Sequence, residues 1–295
     1  MKTLILHDYL DNIGGGEKLM LTLAREIGAD VATLDYNREV VSSMGFDDVT
    51  IRGFGVTSKM PPLKQIIASF KHWMADFSEE YDFFIYSGNW SRYSAKKHHP
   101  NLWYCYTPVR AFYVDRERIR ERLNLPQRLF FDAWVKIHSA KDKSYVRYID
   151  SLVTISQNIR ERTKRVYDVD SKVIYPGIDT KKYRFIESGN FWLSVNRLYP
   201  EKRVDLQADA FRKMPGEKLV VVGGNLEGDH SNAYVEKLGN RAGTIMEFDT
   251  KGRTMIGDVI STVGRTSGRA SALKAGGYRF DFDYVIPGQI VPNSA

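Results

Sequence analysis

Short apolar runs alternate with amphipathic segments through the first 180 residues of the chain. Runs of strand type occupy residues 3–6, 31–34, 49–51, 81–86, 102–106, 151–155 and 173–175. Between some of these runs, apolar residues recur at helical spacing in residues 19–27, 64–77 and 157–167. Strands that alternate with helices typically form a mostly parallel sheet with helices on both faces. The pattern therefore predicts an α/β, doubly wound domain over residues 1–180.

A second domain of the same class is predicted after a polar, turn-rich linker at residues 176–182. A strand at residues 191–195, a helix from Val204 and a strand at residues 218–222 make up the start of this domain. We assign residues 181–238 to it and expect it to be incomplete.

The periodicity fails after Leu238. Residues 239–295 contain nine glycines and five arginines, and their apolar residues show little sustained period. We expect either a divergent, poorly ordered tail or a stretch in which the natural reading frame has been lost. In both cases little ordered structure is expected over these residues.

Two strand–turn–helix junctions carry candidate chemistry. One is a glycine turn after the first strand, made of Gly14, Gly15 and Gly16. The other, before the helix that starts at Val204, carries Arg197, Lys202 and Arg203. In open α/β sheets ligands bind where strands end, and cations beside the free N–H groups of a helix start suit a phosphate. The second junction therefore predicts a nucleotide-sugar site.

The net charge of +7 favours anionic partners, although a basic solvated surface is an equally good interpretation. A nucleotide, an anionic membrane surface and a nucleic acid all fit the charge. The aromatic residues lie at core spacings of strands and helices and match no RNA-binding motif, so we expect no nucleic-acid partner. If the nucleotide-sugar site belongs to an enzyme of glycan assembly, the helices predicted over residues 64–77 and within the basic, aromatic residues 103–148 would face its glycan acceptor or an anionic membrane. The alternative is ordinary core packing with a solvated charged side.

Cysteine content and hydropathy bear on location. Cys105 is the single cysteine, which excludes an intrachain disulfide framework, and its apolar neighbours predict a buried thiol. The apolar part of residues 1–8 is too short for a signal peptide, and no run approaches the roughly 20 residues that cross a bilayer. We expect a cytoplasmic protein, in contact with the inner face of the membrane at most peripherally.

The ordered motifs of residues 1–238 resemble those of glycosyltransferase family 4. They are Gly14-Gly-Gly-Glu17, Tyr106-Thr-Pro-Val-Arg110, Ser156, Val173-Ile-Tyr-Pro-Gly-Ile-Asp179 and Arg197-Leu-Tyr-Pro-Glu-Lys202. The resemblance implies a retaining enzyme with two Rossmann-like domains that face a cleft, the GT-B arrangement. It further implies that the first domain holds the acceptor and the second holds a nucleotide-sugar donor, with no other cofactor.

On the donor side, the resemblance implies that Arg197 and Lys202 clamp the diphosphate and neutralise charge on the leaving nucleoside diphosphate. No metal ion is required if two cations have that role. Gly14, Gly15 and Gly16 match the family's glycine-rich loop, where the backbone approaches a phosphate or sugar closely. We also assign Gly223, at the end of the strand at residues 218–222, to donor binding.

On the acceptor side, Tyr106 stands where many relatives have a histidine in a His-Thr-Pro motif. A phenol can donate a hydrogen bond to a sugar hydroxyl, but its pKa near 10 makes it a poor proton carrier at neutral pH. Tyr106 is either a catalytic contact or a tyrosine packed at a strand end. Arg110 would meet an acceptor phosphate or pair with a carboxylate, and Glu17 and Ser156 complete the predicted acceptor side.

One family motif is not found. Relatives carry two glutamates, separated by seven residues, late in the donor domain, and no such pair follows Leu238. The leading hypothesis is transfer of a hexose from a GDP- or UDP-sugar to a polysaccharide or lipid-linked glycan. The alternatives are a non-catalytic remnant without a full donor site and a nucleotide-sugar epimerase of the same fold.

Overall fold

The computed structural model describes residues 1–178, 191–196, 198–214, 216–217, 219–224, 234, 238 and 245–249. The chain divides into two compact units, the first Met1–Ile178 and the second within Asp179–Val291. The division falls in the polar stretch at residues 176–182. Arg197 and most of residues 239–295 lie outside the described residues.

The first unit is built on a seven-stranded parallel sheet. Its strands are β1 Thr3–Tyr9, β2 Asp30–Leu34, β3 Ile51–Gly53, β4 Phe83–Tyr86, β5 Asn101–Cys105, β6 Ser151–Thr154 and β7 Lys172–Val173. The order is β3-β2-β1-β4-β5-β6-β7, and every neighbouring pair is parallel. In β1, Ile5 pairs with Val31 of β2 and Ile85 of β4. The sheet confirms the predicted doubly wound class.

Helices cover both faces of this sheet. They are α1 Gly15–Ile27, α2 Arg38–Ser43, α3 Leu63–Met74, α4 Arg110–Tyr113, α5 Arg116–Glu121, α6 Leu125–Tyr145 and α7 Gln157–Tyr167, with 3-10 segments at Ser91–Ser94 and Val146–Tyr148. Successive strand residues point to opposite faces. Ile5 accordingly packs with α1 and α2, whereas Leu4 and Leu6 pack in a second cluster with Ile159 of α7.

The structure differs from the predicted elements in three places. The predicted helix at residues 64–77 ends at Met74, because Ala75 is extended and Phe77 turns into the core. The sequence pattern does not predict α2, a six-residue helix whose N-terminus is capped by the Asn37 side chain. The basic, aromatic residues 103–148 include three helices, α4, α5 and α6, and Asn124 and Gln127 form a capping box at the start of α6.

The second unit contains a three-stranded parallel sheet. It consists of β8 Trp192–Val195, β9 Leu219–Gly224 and β10 Ile245–Asp249 in the order β10-β9-β8, with α8 Val204–Phe211 and a 3-10 segment at Pro200–Lys202. Leu198, Val204, Leu219, Val221 and Leu238 form its core. β10 lies in residues 239–295, where the sequence pattern predicts little ordered structure. Its backbone pairs in parallel with the apolar strand β9, from Ile245 opposite Val220 to Asp249 opposite Gly224.

The interior of the first unit holds the single cysteine. Cys105 is buried in the cluster of Leu4, Leu6 and Trp103, and burial raises the pKa of its thiol. This confirms the predicted core thiol and makes it unreactive at neutral pH. Across the described helices, none combines the length and the apolar character that crossing a bilayer requires.

Candidate active site

The carboxyl edge of the seven-stranded sheet carries most of the predicted site residues. Connections leave β1 and β4, which are neighbours at the centre of the sheet, toward opposite sides. Such a switch point is where doubly wound sheets bind ligands. The loops after β1, β4 and β5 meet the start of α1 there.

The glycine turn lies directly at this switch point. Gly14 is the N-cap residue of α1, and a Cβ on it would overlap the Glu17 carboxylate, which folds back over the turn. A Cβ on Gly16 would lie 3.2 Å from the Tyr106 ring, whereas one on Gly15 would meet nothing within 4 Å. The open space at Gly15 leaves room for a ligand against the backbone. Because Glu17 already supplies a negative charge at the positive end of α1, this turn suits a sugar better than a phosphate.

Tyr106 follows β5 and closes one side of the turn. Its hydroxyl donates to the Gly16 carbonyl oxygen at 3.3 Å, and its ring packs edge-on against Tyr104 at 5.6 Å between centroids. Burial, with the neighbouring Tyr104 and Glu17, raises the pKa of Tyr106, so the phenol stays neutral. A neutral phenol whose proton is donated to Gly16 can accept a hydrogen bond from a ligand but cannot shuttle a proton at pH 7.

A buried histidine at the end of β1 supports this site and was not identified from the sequence. The Nδ1 atom of His7 lies 2.7 Å from Ser87 Oγ, and Ser87 follows β4, the strand that pairs with the one leading to Tyr106. Burial lowers the pKa of His7 to about 4, so the imidazole is neutral at pH 7. Polar residues lie at the ends of both β1 and β4, and parallel strands end at one edge of a sheet. The sequence could therefore have indicated that His7 and Ser87 lie close together.

Asp8 fixes the loop after β4. Its carboxylate accepts backbone N–H bonds from Asn89 at 2.8 Å, Trp90 at 2.9 Å and Ser91 at 2.7 Å. A Cβ on Gly88 would overlap this carboxylate, so only glycine fits there. Burial raises the pKa of Asp8, and the three N–H bonds oppose that shift. Asp8 therefore shapes the loop after β4, and its carboxylate is already bound by backbone N–H groups of that loop.

A second polar group lies beside the loop after β1 and was also missed from the sequence. Lys64 of α3 places its Nζ 2.7 Å from Asp11 Oδ2, 3.5 Å from Asp35 Oδ2 and 4.1 Å from the centre of the Tyr9 ring. Asp35 adopts a left-handed conformation with φ of 48° and accepts the Thr57 N–H at 2.6 Å. Lys64 thus ties the start of α3 to the loops after β1 and β2.

Arg110 lies after β5, on the side of the sheet toward β6. Its Nε donates to Asp115 at 2.6 Å, and Arg118 lies 3.2 Å from the same carboxylate. The bond from Arg110 lowers the pKa of Asp115, and the charges of Arg118 and Arg162 add to that effect. Of the two predicted roles for Arg110, pairing with a carboxylate is the one seen in the structure. Three guanidinium groups around one carboxylate leave an excess of positive charge at this edge.

Ser156 lies after β6 and caps α7. Its Oγ accepts the Ile159 N–H at 3.3 Å, and the helix runs over Gln157–Tyr167 as predicted. The cap accounts for the serine at this position on structural grounds. Its assignment to the acceptor side stays a prediction.

In the second unit, Lys202 closes the 3-10 turn between β8 and α8. Its side chain is exposed, and no ion pair to it occurs among the described residues. Arg203 adopts a left-handed conformation with φ of 50° and lies 3.5 Å from Asp205. Gly223 lies in β9, opposite Phe248 of β10. The structure thus places Lys202 at the carboxyl end of a parallel strand, as predicted, while the partner cation Arg197 lies outside the described residues.

Among the residues that the structure describes, no group of three or more histidine, cysteine, aspartate or glutamate side chains could hold a metal ion. The expectation of a metal-free donor site stays a prediction.

Comparison with known proteins gives structural matches only. No protein-family model matches the chain, and no curated protein matches it. HepE (Alr3699) from Anabaena, crystallised with UDP-glucose, matches with a TM-score of 0.59 at 16% identity, over 85% of this chain and 70% of HepE. TarM from S. aureus, crystallised with Fondaparinux, alpha-GlcNAc-glycerol and UDP, matches with a TM-score of 0.52 at 10% identity, over 85% of this chain and 78% of TarM.

The chain is α/β with a parallel seven-stranded sheet, and its fold matches that of Rossmann-like structures of the GT-B class. At such low identities the likeness establishes the fold class.

Proposed function

We propose that this chain is a glycosyltransferase that moves a hexose from a nucleotide-sugar donor to a polysaccharide or lipid-linked glycan acceptor. We further propose a retaining mechanism, as in glycosyltransferase family 4. The observation that carries the proposal is the match over 85% of the chain to HepE, a protein crystallised with UDP-glucose. A cytoplasmic location is part of the proposal, and the single cysteine agrees with a reducing compartment.

The donor side of the proposal rests on the turn between β8 and α8. Lys202 is exposed just before the first residue of α8, Val204, so its ammonium group and the helix start can both face an anion. Arg197, five residues earlier, would supply the second cation. In this proposal, GDP or UDP leaves as both cations neutralise the charge that develops on its terminal phosphate. Gly223 would admit the donor close to β9.

We propose that the glycine turn, which the sequence resemblance places on the donor side, holds an acceptor sugar instead, because Glu17 already places a negative charge at the start of α1. A sugar placed over Gly15 would meet the Glu17 carboxylate on one side and the Tyr106 phenol on the other. A carboxylate accepts hydrogen bonds from sugar hydroxyls, and the Tyr106 oxygen, whose proton is donated to the Gly16 carbonyl oxygen, can accept one as well. Arg110 and Ser156, on the strand ends toward β6, would lie farther along the acceptor.

Thermal shift with UDP-, GDP- and ADP-sugars tests the donor site. A donor present at about 100 times its Kd should stabilise the protein by roughly 2.7 kcal/mol, which raises Tm by several degrees. Lys202→Ala and Arg197→Ala should each abolish the shift. Lys213→Ala, an exposed lysine in the same unit, should retain it and is the matched control. If no donor moves Tm in the unaltered chain, the proposed donor site does not exist.

A non-catalytic remnant is the second candidate, because the sequence lacks the pair of glutamates found late in the family's donor domain. The two candidates differ in turnover. Incubation with the donor that shifts Tm should release free nucleoside diphosphate if the chain is an enzyme. A remnant would bind the donor and release none, and a nucleotide-sugar epimerase would return an isomer of the donor.

A further inference from the structure

Helix α3 exposes a continuous apolar stripe. Leu63, Phe70 and Met74 recur at helical spacing on its outer side, and Trp73 lies beside them. Phe70 is 58% exposed, Trp73 46% and Met74 57%. The opposite side of the helix, with Ala68, is buried in the core. The helix therefore presents apolar surface on both sides.

Helix α6 has the same property. Phe131, Trp134 and Val135 fill the core, whereas four large apolar residues point outward: Leu125, Leu129, Phe130 and Ile137. This arrangement explains why the 21-residue helix shows a weak division into apolar and polar sides. A solvated helix would carry polar residues at these outer positions.

The two exposed stripes belong to one helix layer. Both helices pack on the same core cluster, α3 through Ala68 and α6 through Trp134. Near the end of α6, Tyr145 stacks on Tyr93 of the 3-10 segment Ser91–Ser94, against which α3 also packs. We refer to the exposed sides of Leu63–Met74 and Leu125–Tyr145 together as the apolar–basic face.

The charges on this face are mainly positive. Apart from Lys64, which is paired with Asp11 and Asp35, the two helices carry five cationic residues, Lys71, Arg128, Lys136, Lys141 and Lys143, against two acidic ones, Asp132 and Asp142. Asp142 is fully buried and does not reach the surface. Beyond the helix end, Lys97 places its Nζ 3.0 Å from the Met74 carbonyl oxygen, which adds a cation next to the stripe.

We propose that the apolar–basic face docks on the surface of an anionic lipid bilayer. Phe70, Trp73 and Phe130 would enter the boundary between head groups and acyl chains, and the lysines around them would meet anionic head groups. Aromatic and methionine side chains beside lysines suit this interface, because apolar atoms and a charged group can be accommodated at different depths.

A bilayer fits this face better than a second copy of the chain. The cores of protein interfaces are depleted in lysine, yet Lys136 directly precedes Ile137 in the middle of α6. The location also connects to the proposed acceptor side. Lys64, in the first turn of α3, bonds Asp11 in the loop after β1, so the face borders the carboxyl edge of the sheet. A lipid-linked acceptor in the docked membrane would lie next to that edge.

Vesicle co-sedimentation of the full chain tests the face independently of any donor. We expect binding to vesicles of phosphatidylcholine with phosphatidylglycerol, weaker binding to phosphatidylcholine alone, and a decrease with added salt. The double variant Phe70→Ser and Trp73→Ser should weaken binding at least about tenfold, since two large apolar groups no longer enter the lipid. Ile27→Ser alters an exposed apolar residue of α1, on the other face of the sheet, and should bind as the unaltered chain does.

Two results would overturn the proposal. One is an absence of binding to anionic vesicles, or binding that the double variant leaves unchanged while circular dichroism shows both proteins folded. The other is light scattering that shows a dimer which the double variant dissociates, without vesicle binding, because the face would then join two copies. Donor-induced thermal shift reports on the second unit, so its failure would leave the vesicle result standing.

Discussion

A buried ion pair shows most clearly what single residues do in the first unit. Arg92 and Asp142 are both fully buried, and Arg92 Nη1 donates to the Asp142 carbonyl oxygen at 2.9 Å while Nη2 meets the carboxylate. Arg92 also lies 4.4 Å from the centre of the Trp103 ring. Tyr113 and Tyr167 each donate a hydroxyl to Asp142 Oδ2 at 2.8 Å. The Asp142 carboxylate thus connects its own helix α6 to the 3-10 segment Ser91–Ser94, to α4 and to α7.

Removal of that carboxylate should be strongly destabilising. Asp142→Ala leaves the Arg92 charge buried without a counterion, so the free energy of unfolding should fall by about 3–5 kcal/mol in urea denaturation. Asp170→Ala is the matched control, because Asp170 pairs with Arg160 at an exposed site where solvent screens the charges, and it should leave the urea midpoint almost unchanged. Equal effects of the two variants would contradict a structural role for the buried pair.

At the scale of elements, the start of α1 shows how one turn combines packing with binding. Two of its glycines are explained by contacts, Gly14 by Glu17 and Gly16 by Tyr106. Gly15 has no such reason, since a Cβ on it meets nothing within 4 Å. Alanine forms helices better than glycine, by roughly 0.5–1 kcal/mol. Gly15, with open space beside it at the start of α1, is therefore a position that a ligand could approach closely.

Gly15→Ala separates the structural role of this turn from the binding role. The free energy of unfolding should be unchanged or raised by up to about 1 kcal/mol, because the methyl group meets open space. Transfer to the acceptor should fall at least about tenfold if a sugar lies against the backbone. Unaltered transfer by a fully folded Gly15→Ala protein would show that no substrate approaches Gly15.

At the scale of the whole molecule, buried neutral histidines make stability depend on pH. Burial lowers the pKa of His7 to about 4, of His72 to about 3 and of His98 to about 4. His98 accepts the Phe77 N–H at 2.9 Å and stacks on Phe84, and so belongs to the core. In the unfolded chain each histidine takes up a proton near pH 6.5. Below that pH, the unfolded state binds protons that the folded state does not.

The free energy of unfolding should therefore decrease as the pH falls below about 6.5. Between pH 7 and pH 5 each of these histidines should contribute a loss of up to about 2 kcal/mol. The loss continues until the pH reaches the folded pKa values near 4 and 3. His72→Phe, with a ring that can replace the imidazole packed edge-on against Phe54, should reduce the dependence by one histidine's share. Urea denaturation between pH 7 and pH 5 measures the free energy of unfolding of the unaltered chain and of His72→Phe. An equal pH dependence in the two proteins would contradict this explanation.

Some features could be predicted from neighbouring residues alone, whereas others depend on contacts between residues far apart in sequence. Alternating strands and helices sufficed for the sheet class, and Ser156 marked the start of α7, because a helix cap depends on neighbouring residues alone. His7, Ser87 and Lys64 were missed because their partners are more than 50 residues away in sequence. The two roles considered for Arg110 could not be separated either, since its pairing depends on where α4 and α5 place Asp115.

The sequence by itself determined the doubly wound α/β class, the glycine turn, the cationic turn near Lys202 and the burial of Cys105. These follow from the period of the apolar residues and from the local geometry of strand ends and helix starts. Only the tertiary structure decided that Glu17 and Tyr106 enclose the glycine turn, that Asp8 is taken up by backbone N–H groups, and that α3 and α6 expose apolar residues in one layer. Those features depend on contacts between distant segments, which exist only once the sheet has set the order of its strands.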